Sequence, residues 1–148
     1  MTTVRRQRII DAPPSDVWAA LAAFDGIGTW ASNVDHSCAM TAQTSGAGAV
    51  RRVQVGRATL IETADDWRPG VSLSYTITGL PRVIRRVVTT WTLAPSGDRT
   101  DVVVQTEVDA GPRPPQRLIA SLVGRRFAAA SDAMLAGLAA HVERTSVA

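Results

Sequence analysis

The stretch PPQRLIASLVGRRFAAASDAMLAGLAAHVERT, residues 114–145, decides how the rest of the chain must fold. Ile119, Val123, Phe127, Ala130, Met134 and Leu138 recur at steps of three and four. At about 100° per residue they fall on one stripe of a helix. Arg125, Asp132 and Glu143 fall on the other side. Pro114-Pro115 suits a helix start, where amide hydrogens have no partner to lose. A helix of this length needs a surface against which to bury its stripe.

The preceding residues offer that surface. Val4–Asp11 reads as a first strand, with arginines on one or both faces. Ala12-Pro13-Pro14-Ser15-Asp16 follows, and Ser15 or Asp16 is expected to cap a short helix carrying Val17, Trp18, Leu21 and Phe24. Gly26 and Gly28 end it, and residues 33–41 read as a weak edge strand. From Gly46 the period changes to two. Ala49–Val55, Thr59–Glu62, Val71–Thr78, Val83–Leu93 and Asp101–Val108 are rich in Val, Thr and Ile. The turns between them carry Gly56, Arg68-Pro69-Gly70, Gly79-Leu80-Pro81 and Pro95-Ser96-Gly97-Asp98. Links this short imply antiparallel hairpins. The expectation is an α+β fold: a curved antiparallel sheet of six or seven strands around one long C-terminal helix, with two short helices after the first strand.

Composition narrows the function classes. The chain has 148 residues, enough for one domain with a proper core. Its 16 basic residues are all Arg and its net charge is +3. Arg5-Arg6, Arg51-Arg52, Arg85-Arg86 and Arg125-Arg126 are scattered pairs, and neighbours in a strand or helix point different ways. No nucleic-acid stripe is expected. The single Cys38 excludes an internal disulfide. No apolar run reaches the ~20 residues of a membrane span, and the N-terminus turns polar at once. A cytoplasmic protein, monomer or homodimer, is expected.

The order of elements, read with Asp11-Ala12-Pro13, Val17-Trp18, Phe24 through Trp30, Gly48-Ala49-Val50-Arg51-Arg52, Glu62, Leu73-Ser74-Tyr75-Thr76-Ile77, Gly79-Leu80-Pro81 and Trp91-Thr92-Leu93, resembles the START-like (SRPBCC) superfamily. The bacterial polyketide cyclase/dehydrase branch is the most similar. The resemblance covers nearly the whole chain, 1–148, as one domain. It implies a helix-grip fold with a cavity between sheet and C-terminal helix. Gly79-Leu80-Pro81 is similar to a gate motif of plant abscisic-acid receptors, but falls in a later connection, where their latch loop lies. A plain tight turn explains it equally well.

Strand alternation gives the candidate wall. Arg85, Val87, Thr89 and Trp91 share a face of one strand; Leu73, Tyr75 and Ile77 share a face of another. With Trp30, Leu80, Phe127, Ala130 and Met134 they would make an apolar pocket with few polar anchors, or they would simply fill the core. Glu62, if inward, is a buried carboxylate, costly unless paired, with Arg51 or Arg85 as partner. A cyclase would use such a carboxylate to move protons, with Tyr75 donating to a developing oxyanion. Glu62, Tyr75 and Arg85 are therefore the catalytic candidates. Outward, Glu62 is an ordinary surface residue. Metal binding is not expected: His36 and Cys38 share a strand face, but the only other histidine is the distant His141, and zinc sites need three or four ligands. No cofactor is expected. Three functions stay open: a carrier of a small hydrophobic or aromatic ligand, a cofactor-independent cyclase or dehydratase using the same cavity, and an interaction module like a toxin or quinone chaperone.

Overall fold

The computed structural model describes residues 1–147. Seven strands form one antiparallel sheet: β1 (Thr2–Ile10), β2 (His36–Ala39), β3 (Val50–Val55), β4 (Ala58–Arg68), β5 (Ser72–Thr78), β6 (Arg86–Ser96) and β7 (Arg99–Asp109). Their spatial order is β1-β7-β6-β5-β4-β3-β2. Helix α1 (Pro14–Ala22) and a 3₁₀ turn (Phe24–Thr29) follow β1, and α2 (Pro114–Val147) closes the chain. This is the sheet around one long helix that the patterning implies, in the helix-grip arrangement that the family resemblance implies.

Local chemistry explains most boundaries. In β7, Val102, Val104, Thr106 and Val108 point inward, alternating with half-buried Val103, Gln105 and Glu107, as a one-sided sheet requires. The buried Thr106 hydroxyl is satisfied across the ladder by Thr89, at 2.9 Å. Helix α1 starts differently from expectation. Neither Ser15 nor Asp16 occupies the cap; Pro13 does, without a side-chain cap bond, and Pro14 stands in the first turn. Proline's preset φ and missing amide start the helix there.

Strand β4 runs six residues past the expected Glu62 end. Asp65 and Asp66 sit in a β-bulge, where the register with β5 shifts between Ala64 and Trp67. The Thr76 hydroxyl donates to Asp65, and the Asp66 amide donates to the Ser74 hydroxyl at 3.3 Å. The bulge thus accommodates charges that a flat ladder would not.

Helix α2 packs directly on β1 and β7. The face it buries there is made of Ala120, Gly124, Ala128, Ser131, Leu135, Ala139 and Val142. These small residues allow close approach: a Cβ on Gly124 would stand 3.0 Å from Thr2 Cγ2 and 3.3 Å from Val4 Cγ1. Near the other end, a Cβ on Gly137 would run into the Trp30 carbonyl oxygen. The helix backbone stands away from β3, β4 and β5. The stripe of Val123, Phe127, Ala130 and Met134 faces that gap, while Leu138 at its end is fully buried core.

Candidate functional site

The gap is a cavity of about 310 Å³, within the size range of small-molecule sites. Its walls come from four places. The 3₁₀ turn and the residues after it supply Ile27, Asn33 and Val34, and the β3–β4 hairpin supplies Val53, Val55, Ala58, Leu60 and Glu62. The β5–β6 region supplies Tyr75, Ile77, Leu80, Pro81, Ile84 and Thr89. Helix α2 supplies Val123, Arg126, Phe127, Ala130 and Met134. Glu62, Tyr75 and Thr89 are buried, whereas Ala58, Pro81 and Arg126 are exposed. The cavity therefore has a closed, more polar end and an open end among the β3–β4 hairpin, the β5–β6 loop and the first half of α2.

At the closed end lies a buried ion pair. Arg51 Nε and Nη2 both reach Glu62 Oε1 at 2.7 Å, and the side chains are 4% and 7% exposed. Neighbouring strands enforce the contact, because Arg51 and Glu62 face each other across the β3–β4 ladder. Arg51 Nη1 donates to the Phe24 carbonyl at 2.7 Å, and the guanidinium lies 3.8 Å from the Phe24 ring centre and 4.6 Å from that of Tyr75. Two ring faces and a carbonyl thus share the arginine's charge with Glu62. The cluster continues through edge-on contacts of Phe24 with Tyr75 at 5.7 Å and with Trp67 at 6.1 Å.

Tyr75 is the group this frame presents to the cavity. Trp91 Nε1 donates to its hydroxyl at 3.2 Å. Indole N–H and guanidinium are donors only, so neither Trp91 nor Arg51 can receive the Tyr75 proton. Among the described residues no oxygen accepts it. Burial pushes the phenol up to about 12, the Glu62 charge adds to this, and Arg51 and the Trp91 bond oppose it. The phenol is a fixed neutral donor at ordinary pH. A second polar group, the Asn33 carbonyl oxygen, is buried at the cavity wall without a hydrogen-bond partner among the described residues.

The expected site residues divide. Glu62, Tyr75, Leu80, Thr89, Phe127, Ala130 and Met134 line the cavity. Arg51 does not: it stands behind Glu62 and Tyr75, held by the ion pair. Trp91 is buried as support for Tyr75, and Trp30 packs edge-on against Trp91 at 5.9 Å with its indole nitrogen unpartnered. Arg85 is exposed, because β6 begins one residue later and the chain has left the sheet; its expected place beside Glu62 is taken by Arg51 alone. Asn33, Val34, Ile84 and Arg126 join the wall without a sequence signal of their own. Asn33 and Val34 belong to an irregular segment with no period, and Ile84 to a loop that reads as strand. Arg126 lies four residues before Ala130, on the same helix row as the expected wall.

With the geometry in place, comparison with known proteins is decisive for family. The model of the family described as polyketide cyclase / dehydrase and lipid transport matches residues 1–143. The chain belongs to this family. Solved structures agree with the fold. A Thermus thermophilus protein is 22% identical with a TM-score of 0.78, covering 98% of this chain and 99% of its own. The Zhui aromatase/cyclase from a Streptomyces species is 20% identical with a TM-score of 0.76, covering 97% and 94%. A Thermobifida fusca protein is 26% identical with a TM-score of 0.75, covering 97% and 95%. No curated protein sequence matches. Among the described residues, no helix is long and apolar enough to cross a membrane.

Proposed function

We propose that this family member binds a small, mostly apolar molecule in the cavity and orients it by a carbonyl or similar acceptor at the closed end. The observation that carries this reading is the Tyr75 hydroxyl. It is a buried donor with an unclaimed proton at the end of an otherwise apolar space. A ligand acceptor there gains a hydrogen bond that water would otherwise supply. Aliphatic and aromatic walls favour an apolar, ring-containing body. The unpartnered Asn33 oxygen favours a ligand that also carries a donor, such as a hydroxyl. Hydroxylated aromatic ketones combine these features.

Carriage is favoured over catalysis by the state of Glu62. A general base must exchange protons with substrate; one oxygen of this carboxylate is held by two contacts to Arg51, which leaves only its other oxygen for such a role. The cyclase reading draws on a different feature: a neutral phenol is the group that stabilises an enolate oxyanion. The family description and the likeness to an aromatase/cyclase support it. Both readings require an occupied cavity, and that is tested first. Native mass spectrometry of freshly purified protein shows whether a cellular ligand copurifies, and titration with hydroxyanthraquinones gives an affinity. Ala130→Trp should fill the space and abolish binding while the protein stays folded. Tyr75→Phe should weaken binding about tenfold, the worth of one buried hydrogen bond. Equal binding by the parent protein and Ala130→Trp would place the ligand elsewhere.

A further inference from the structure

The two segments at the open end of the cavity carry charge that the sequence hides. Residues 79–85 contain Arg82 and Arg85, residues 112–131 contain Arg113, Arg117, Arg125 and Arg126, and neither segment contains Asp or Glu. The chain has 16 arginines and 13 acids. Removing these six leaves ten arginines against 13 acids, so these two segments carry +6 and everything else together −3. All six are exposed, and among the described residues none of them is in an ion pair. The amino end of α2 adds the positive pole of a long helix.

Exposed apolar side chains occupy the same face. Leu118, Leu122 and Arg126 follow one another at steps of four, forming one row on α2, and Arg126 lines the cavity. Leu118 is 62% exposed and Leu122 52%, although the other large apolar residues of the helix up to Val142 are buried or half-buried. Val83, on the loop across the opening, is 44% exposed. On the helix surface Arg125 lies beside the leucine row on the side away from the cavity, and Arg126 continues the row to the cavity wall.

We propose that this face docks on an anionic membrane surface, with Leu118 and Leu122 in the boundary between headgroups and acyl chains, the arginines on lipid phosphates, and the cavity opening toward the bilayer. Exposed leucines set among unpaired cations are the composition that binds at such an interface. A soluble acidic partner would satisfy the arginines but give the two leucines no role. A membrane takes both, and it is also where an apolar ligand of the cavity concentrates.

The test uses the full chain and phosphatidylcholine vesicles with or without phosphatidylglycerol, read by cosedimentation. No cavity ligand is involved, so a negative result here leaves the binding reading untouched. The protein should bind the anionic vesicles and lose that binding as salt rises. Each of Arg82→Gln and Arg126→Gln should weaken binding about fivefold. Leu118→Ser/Leu122→Ser should weaken it about tenfold or more with the native fold retained, because both side chains are more than half exposed. Arg5→Gln/Arg8→Gln, on exposed β1 positions, should change binding less than about twofold, since these side chains lie outside the basic face. Absence of binding to anionic vesicles overturns the proposal, as does an equal loss in the β1 variant. Leucine variants that bind as well as the parent, with full displacement by polyglutamate, would also overturn it and assign the face to a soluble acidic protein.

Discussion

Replacing Arg51 by Met tests whether the closed end of the cavity is one electrostatic unit. Arg51 is 3% exposed and Glu62 5% exposed. Met keeps much of the arginine's bulk but leaves the carboxylate buried without its cation. It also removes the bond to the Phe24 carbonyl and the two ring contacts. Breaking a buried pair on one side costs about 3–5 kcal/mol. With a urea m-value of roughly 2 kcal/mol/M, the unfolding midpoint should fall by about 1.5–2.5 M. Glu62→Gln should cost less, about 1–2 kcal/mol, because Arg51 keeps the Phe24 carbonyl, both ring faces and a neutral acceptor at the amide oxygen. The double variant Arg51→Met/Glu62→Leu removes both charges, and should be more stable than Arg51→Met alone by about 2 kcal/mol or more. Urea unfolding followed by tryptophan fluorescence compares the parent protein with all three variants. A loss below about 1 kcal/mol for Arg51→Met, or a double variant no better than that single one, would refute the coupling.

Two more outcomes follow from contacts at either side of the cavity. Tyr75 is the one tyrosine in the chain, so phenolate absorbance reports it alone. Its folded value of about 12 lies above the ordinary 10. Between those values the folded state holds a proton that the unfolded state has released. Stability from this group is therefore complete below pH 10 and lost as pH rises from 10 through 12, by roughly 2 kcal/mol. A phenolate titrating near 10 in the native protein would contradict the burial argument. Gly137→Ala should destabilise by about 1–3 kcal/mol despite a helix-propensity gain of about 1, because the new Cβ meets a backbone carbonyl. Gly124→Ala should be nearly neutral, since the groups it meets are side chains that can shift. Thermal melts of the pair decide, and stabilisation in both would show the helix free to move off Trp30.

The parts legible in the sequence are those whose periodicity is strong. Val102, Val104, Thr106 and Val108 announce a one-sided strand, and the shared face of Leu73, Tyr75 and Ile77 follows from the same alternation, while the structure supplies its inward direction. Glu62 amid Leu60 and Ile61 reads equally as a buried or a surface carboxylate, and Arg51 is one of its two possible partners in the sequence. Register chooses between them, and register depends on turn geometry that composition only hints at. The true packing face of α2 escapes a sequence reading for a physical reason. It is built largely of Ala, Gly and Ser, which carry little hydropathy but permit close approach, while the more apolar stripe borders the cavity. Asp65-Asp66 resembles a turn because charge is rare inside a strand, and a bulge is the exception that admits it. The basic rim is illegible altogether. Arg82 and Arg85 stand on the β5–β6 loop and Arg126 on α2, well apart in the sequence, and only the fold sets that loop and that helix at one opening.

The uneven seating of α2 bears on how such a protein can change. The contacts anchoring the helix lie on β1 and β7, whereas the cavity wall is drawn largely from the β3–β4 hairpin, β5 and the β5–β6 loop. Substitutions at Val55, Leu60, Leu80 or Ile84 reshape an unfilled volume and disturb little of that anchorage. The shape of the cavity can therefore drift through many sequences while the chassis keeps its folding free energy, so relatives sharing this architecture need not share a cavity shape.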